Sequence, residues 1–206
     1  SIYKDTKRIL WFGSSENGII KYDNNTISHL TKSNGLTSNR ILSLTGDSKG
    51  SIWIGTAGGG LIKNTKDKFE VYTTKDGLNL DAIKSLLFDR EGNLWVGTAG
   101  GGLNKIRNSN VVTYTMKNGL GDNYVWTMGQ DTKENIWLGT GDNGINVISK
   151  NGIRTLNTQT GYNFNNVRTI CCSRKGQVWL GTPDKGVFLI DGKKIINFDT
   201  TNGLTD

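Results

Sequence analysis

Proline appears once in this 206-residue chain, at Pro183, and histidine once, at His29. A single proline excludes collagen-like structure and proline-rich linkers. A single imidazole excludes any site built from two histidines of this chain. The two cysteines, Cys171 and Cys172, are adjacent. Adjacent cysteines rarely bridge, because disulfide geometry fights the intervening peptide, so they supply neither a disulfide framework nor a metal-ligand spacing. No apolar run approaches the roughly 18 residues of a membrane-crossing helix, so no membrane insertion is expected of this segment. The opening residues show no charged stretch followed by an apolar one, so a secretory leader is absent or already removed. Helical periodicity flanked by caps is missing throughout. A chain of this length nevertheless buries roughly 70% of its extended surface, enough for a core without staples.

Glycine, by contrast, is abundant at 28 residues, and its placement is ordered. Trp11, Trp53, Trp95, Trp137 and Trp179 follow one another at intervals of 42 residues. The surrounding unit recurs with them: LWFGSSENGIIKY, IWIGTAGGGLIKN, LWVGTAGGGLNKI, IWLGTGDNGINVI and VWLGTPDKGVFLI. A second block repeats in step as SNGLTSNRILSL, KDGLNLDAIKSL, KNGLGDNYVWTM and QTGYNFNNVRTI, and TNGLTD begins a further copy. Glycine registers such as Gly55, Gly60 and Gly77 run through the units without an insertion.

Each unit contains four short runs rich in β-branched and aromatic residues, bounded by Gly, Asn or Asp. In the second unit they span 41–47, 51–56, 60–64 and 69–73. Four strands in 42 residues make one antiparallel propeller blade. The expected fold is therefore all-β, a β-propeller of four-stranded antiparallel blades in five repeats, forming one domain over 1–206. The ladder tryptophans are expected to be the apolar plates between blades, and the Gly55 register to permit close backbone approach or a bulge. Asp5, Asp47, Asp89 and Asp131, with Ser173 in the fifth copy, are expected to close the turn into the tryptophan strand rather than to bind a metal. Five units of 42 exceed the chain by four residues when Asp206 is aligned with Ser38. A closed five-bladed ring is the favoured reading; a stretch of a longer array, such as seven blades, is the alternative.

The pattern in AIKSLLFDREGNLWVGTAGGGLNKI (82–106) resembles the two-component regulator propeller repeat, and the resemblance extends over essentially the whole chain. It implies the extracytoplasmic sensor part of a hybrid histidine kinase, a periplasmic or extracellular location, and a link to polysaccharide use. In that family two seven-bladed propellers are usual; here there are five units and no kinase segment, transmembrane helix or β-sandwich. Streptogramin lyases share similar repeats, but their chemistry leans on histidine and metal. His29, in the outermost strand, does not supply it.

Repeats provide an internal control: positions alike in every blade serve the blade, and positions that vary are free for something specific. Asn39, Asp81, Asn123 and Asn165 are nearly uniform and read as turn caps. The next registers vary. One holds Arg40, Ala82, Tyr124 and Asn166; another holds Leu42, Lys84, Trp126 and Arg168. Trp126 is the only tryptophan outside the ladder. At the start of the innermost strand these side chains are expected at the mouth of the axial channel. Aromatic plates beside Arg, Lys and Asn suit a sugar or an anionic group. Candidate ligand contacts are thus Trp126, Tyr124, Arg40, Lys84, Arg168 and Asn166; the alternative is that the rings only fill the axis. The loops between second and third strands also vary, as Ala57-Gly58-Gly59 against Pro183-Asp184-Lys185, and read as solvated turns. Cys171 and Cys172 align with Leu87 and Phe88, and at least one of them is expected to be a small core residue.

The formal charge of +7 comes from 25 Lys and Arg against 18 Asp and Glu, but the cations are scattered, which argues against nucleic acid. No cofactor or catalytic set is recognisable. The sequence supports a non-enzymatic propeller that senses a carbohydrate or other small molecule. A scaffold for a protein partner, or self-association through open blades, is the alternative, and a propeller lyase a more distant one.

Overall fold

The computed structural model describes residues 1–107, 110–162 and 164–204. The closure arithmetic rests on Asp206, which lies outside them. The chain divides into two compact units, Ser1–Thr113 and Tyr114–Asp206.

The first unit carries three antiparallel four-stranded sheets, each in simple chain order. They are β1 (Ile2–Lys4), β2 (Leu10–Gly13), β3 (Ile19–Asp23) and β4 (Thr26–Leu30); β5 (Ile41–Gly46), β6 (Ile52–Thr56), β7 (Leu61–Thr65) and β8 (Lys68–Tyr72); and β9 (Ile83–Phe88), β10 (Leu94–Thr98), β11 (Leu103–Arg107) and β12 (Asn110–Tyr114). The second unit carries two more: β13 (Val125–Gln130), β14 (Ile136–Thr140), β15 (Ile145–Ser149) and β16 (Gly152–Leu156); then β17 (Thr169–Cys172), β18 (Val178–Gly181), β19 (Val187–Asp191) and β20 (Lys194–Phe198). The expected strands of the second repeat agree with β5–β8 to within a residue or so. The fold is that of propeller blades, and the helical content of the described residues is four single 3-10 turns.

Within each unit the first strands of successive sheets pack on one another, β1 on β5 on β9 and β13 on β17. The second strand is the apolar centre of the second, third and fourth blades. All five residues of β6, β10 and β14 are buried. Ile54, Val96 and Leu138 are fully enclosed, and burying such a side chain contributes about 1.5–3 kcal/mol. Gly55 shows why a side chain is absent beside the tryptophan. A Cβ there would lie 2.8 Å from Cγ2 of Ile83, on the first strand of the next blade. The glycine register sets how closely two blades approach.

Backbone bonds stitch the blades within each unit. The Gly18 N–H donates to the Asn39 carbonyl and the Ile41 N–H to the Ser14 carbonyl, both at 2.8 Å; Gly60 donates to Asp81 at 2.9 Å. In the second unit Asn166 donates to Gly141 at 2.8 Å. Each bond joins a hairpin loop to the segment leading into the next blade.

That segment is itself ordered by its recurring Gly-Leu pair. Thr73 caps a 3-10 turn, Gly77 ends it at φ 98°, and Leu78 then enters the core. The left-handed conformation is why glycine stands there. The uniform polar register completes the device. Asn39 Oδ1 accepts from the Lys32 N–H, Asp81 Oδ1 from Thr74 and Asn123 Oδ1 from Met116, at 2.7–2.8 Å. Asn165 departs: its Oδ1 is buried without such a donor.

Candidate functional site

The variable positions owe their placement to a β-bulge. Ile41 pairs with Thr56 and Ser43 with Gly55, so Leu42 between them has no cross-strand partner. Lys84 stands out in the same way between Ile83 and Ser85, and Trp126 between Val125 and Thr127. In the fifth sheet Arg168 donates its N–H to the Gly181 carbonyl at 2.9 Å, just ahead of the regular pairing of Thr169 with Gly181. A bulge bends its strand and re-aims the extra side chain. One backbone irregularity therefore presents leucine, lysine or tryptophan according to the blade, and Arg168 stands at the matching position just ahead of β17.

In the second unit these side chains meet. The Tyr124 and Trp126 rings lie with centroids 4.3 Å apart, tilted by 38°. The Arg168 guanidinium carbon sits 3.4 Å from the Trp126 ring centroid. Tyr124 and Trp126 are half-buried and Arg168 is exposed. A cation over an indole face contributes about 0.5–2 kcal/mol, depending on desolvation. Arg168 covers a face of Trp126 and the Tyr124 ring packs against the indole, which leaves the exposed guanidinium as a planar fork of N–H donors that matches a carboxylate or hydroxyl.

Its frame includes a carboxylate that the sequence did not single out. Asp122 Oδ1 accepts from the Tyr124 N–H at 2.8 Å, and Oδ2 accepts from the Asp142 N–H at 3.0 Å. The lead-in segment and the hairpin loop of one blade are thereby tied. Gly141 donates to the Tyr124 carbonyl at 3.1 Å and accepts from Asn166, so Asn166 and Tyr124 share one loop. Asn166 reaches this place with φ 52°, a left-handed conformation asparagine tolerates. The register Ser38, Leu80, Asp122, Phe164 does vary, and that was the available signal.

Arg40 and Lys84 belong to the first unit. Arg40 is exposed, with its carbonyl accepting from the Ala57 N–H at 3.0 Å. Lys84, the bulge residue of β9, is half-buried.

The turn aspartates do more than close turns. Asp89 Oδ1 accepts from the N–H groups of Glu91 and Asn93 at 3.0 and 2.8 Å, while Oδ2 accepts from the Trp95 indole at 2.8 Å. Burial pushes such a carboxyl up, but the bonds from Asn93 and Trp95 outweigh it and hold Asp89 below the usual carboxylate range. Asp47 and Asp131 are lowered against burial by the same kind of donors. Lysines are also engaged: Lys21, Lys63 and Lys105 lie over the rings of Trp11, Trp53 and Trp95, the last at 4.8 Å. His29 is exposed on β4, Cys171 is exposed, and Cys172 packs partly buried against the second unit's core. Among the described residues no group of three or more His, Cys, Asp or Glu is placed to hold a metal.

The sequence pattern described as Two component regulator propeller matches residues 35–58, 77–100, 119–142 and 161–184. The repeats belong to that family. No curated protein sequence matches the chain. Among solved structures it is similar to the extracellular domain assigned to a hybrid two component system of B. thetaiotaomicron, at 26% identity and TM-score 0.86, over 99% of this chain and 28% of that one. A second B. thetaiotaomicron extracellular domain, assigned to a one component system, gives 21% identity and TM-score 0.80 over 97% of this chain and 31% of that one. The chain thus spans under a third of either. The Staphylococcus aureus virginiamycin B lyase shares the fold, at 17% identity and TM-score 0.74 over 96% of this chain and 68% of the lyase. Among the described residues no helix is long and apolar enough to cross a membrane.

Proposed function

We propose that this chain is part of a non-enzymatic, extracytoplasmic sensor propeller that binds a carbohydrate or other small molecule. Trp126, Tyr124, Arg168 and Asn166 make the contacts in the second unit, and Arg40 and Lys84 are the corresponding contact residues of the first. The observation that carries the reading is the Tyr124–Trp126–Arg168 stack, raised by a bulge at positions that differ from blade to blade. The similarity to extracellular domains of two component and one component systems supports the sensory role and the location. In this reading residues 1–206 form one propeller domain. Were the five blades a stretch of a longer array, sedimentation would show association through open blades.

The test is a thermal-shift screen of the chain with neutral and acidic oligosaccharides, followed by calorimetry on the best binder. Trp126→Ala is expected to weaken binding by roughly 1–3 kcal/mol with folding retained, the usual worth of an aromatic platform at a concave site. If no ligand shifts the melting temperature and a protein partner is captured instead, the scaffold reading replaces this one. If Trp126→Ala unfolds the chain and no ligand protects it, the ring is filler.

A further inference from the structure

Asparagine followed by glycine is among the least durable steps of a polypeptide. A glycine has no Cβ to shield its backbone nitrogen from the carboxamide before it. This chain has six such steps, at 17–18, 34–35, 118–119, 143–144, 151–152 and 202–203. The fold treats them differently.

Five are held. Asn34 Oδ1 accepts from the Thr31 N–H, and Asn118 Oδ1 from the Thr115 N–H, both at 3.0 Å. In both turns the glycine nitrogen is occupied as well, Gly35 donating to the Lys32 carbonyl and Gly119 to that of Met116. Asn202 Oδ1 accepts from the Asp199 N–H at 2.8 Å, and its Nδ2 donates to the Asn197 carbonyl at 2.9 Å. Asn143 Nδ2 donates to the Gly121 carbonyl at 2.7 Å, and Gly144 behind it is buried. At 17–18 it is the attacking nitrogen that is engaged: Gly18 is buried and donates to the Asn39 carbonyl at 2.8 Å.

Asn151 is the exception. It lies at the tip of the hairpin between β15 and β16, and both it and Gly152 are exposed. Its backbone N–H donates to Ser149 Oγ at 3.2 Å, but its side chain makes no hydrogen bond among the described residues. Nothing lies within 4 Å of the place where Gly152 would carry a Cβ, so no side chain crowds the approach. An asparagine side chain that is not tied down turns readily toward its neighbouring backbone. The acidic product fits the site. Matched across two repeats, Asn151 corresponds to Asp67, an exposed carboxylate in the turn between β7 and β8.

We propose that Asn151 is a self-modification site of the folded chain. The Gly152 backbone nitrogen attacks Cγ of Asn151. The new N–Cγ bond replaces the bond from Cγ to Nδ2, and the proton of the Gly152 N–H leaves with Nδ2 as ammonia. Water then opens the resulting succinimide at either carbonyl, giving aspartate or isoaspartate. The turn between β15 and β16 gains a negative charge, and in the isoaspartate form its backbone is longer by one methylene.

The experiment is incubation of the purified chain at mildly alkaline pH, with samples digested by pepsin in acid and the peptides separated by mass spectrometry. In the folded chain Asn151 is expected to be the first of the six to lose ammonia, at least about 10-fold faster than any other, with isoaspartate formed beside aspartate. The rate should rise with pH, because the attacking nitrogen must give up its proton. In denaturant the six steps should convert at rates within a few-fold of one another. Asn151→Gln should abolish the fast conversion; Lys193, exposed at the same register of the fifth blade, shows that a longer side chain is accommodated there. The proposal is overturned if another Asn-Gly step changes as fast in the folded chain, if Asn151 keeps its lead in denaturant, if aspartate forms without isoaspartate, or if the fast conversion survives in Asn151→Gln.

Discussion

The indole N–H of Trp95 donates to Oδ2 of Asp89 at 2.8 Å. The same bond joins Trp11 to Asp5 and Trp53 to Asp47 at 3.1 Å, and Trp137 to Asp131 at 2.8 Å. The largest core side chain of each of these blades is thus fastened to the turn that introduces its strand. Such a plate packs apolar surface while its one polar atom is satisfied, which an unpartnered buried indole would not be.

Trp95 is 3% exposed, so Trp95→Ala removes a full plate together with the partner of Asp89. The expected loss is about 3–5 kcal/mol, the range for large-to-alanine core truncations. Denaturant unfolding of the two proteins measures it. An unchanged midpoint would contradict the blade packing described above.

Acid should weaken the fold through the same carboxylates. Asp47, Asp89 and Asp131 lie below the ordinary value of 3.8 when folded. A lowered folded value means that their contribution is fully present above the unfolded value and is lost as pH falls through the folded ones. Thermal midpoints should therefore hold near neutrality and fall steeply below about pH 4. Asp89→Asn should lower the neutral midpoint and flatten that fall; a parallel curve for the variant would refute the assignment.

Gly55→Ala tests the spacing between blades. The added methyl meets Ile83 Cγ2 and the Ser43 hydroxyl, neither of which is the loose end of a flexible chain. Overpacking of this kind costs typically 1–3 kcal/mol. Gly58→Ala, where nothing lies within 4 Å, meets only the strain of φ 98° and should cost less. A loss at Gly55 no larger than that at Gly58 would show that the neighbouring side chains give way and that close approach does not account for the glycine.

Much of this was legible before any coordinates, because a 42-residue period repeats one physical problem five times. Trp53, Gly55 and Asn39 recur because each answers a need of every blade. Less legible was what adjacent registers do to one another. The bulge at Trp126 leaves no mark in composition, since Leu42 and Lys84 share its geometry and not its chemistry. The Asp–Trp bond spans six residues and joins two registers that had each been given a sufficient purpose.

The fifth blade offers a test by repair. Ser173 replaces the turn aspartate, and its hydroxyl accepts from the N–H groups of Lys175 and Gln177 at 3.2 Å, longer than the 2.8 and 3.0 Å that Asp89 makes. Trp179 is half-buried where the other four ladder tryptophans are buried, and it is held by stacking on Phe198 at 5.8 Å. Ser173→Asp should restore the second carboxylate oxygen within reach of the Trp179 indole and place negative charge beside Lys175. Charge-assisted bonds are shorter and stronger than those of a hydroxyl, so a gain of about 1 kcal/mol is expected. It should appear as a higher thermal midpoint at neutral pH and vanish in acid, where the new carboxylate is protonated. A gain that persisted at low pH would arise from something other than this bond, and a loss at neutral pH would mean that the fifth blade is spaced for serine.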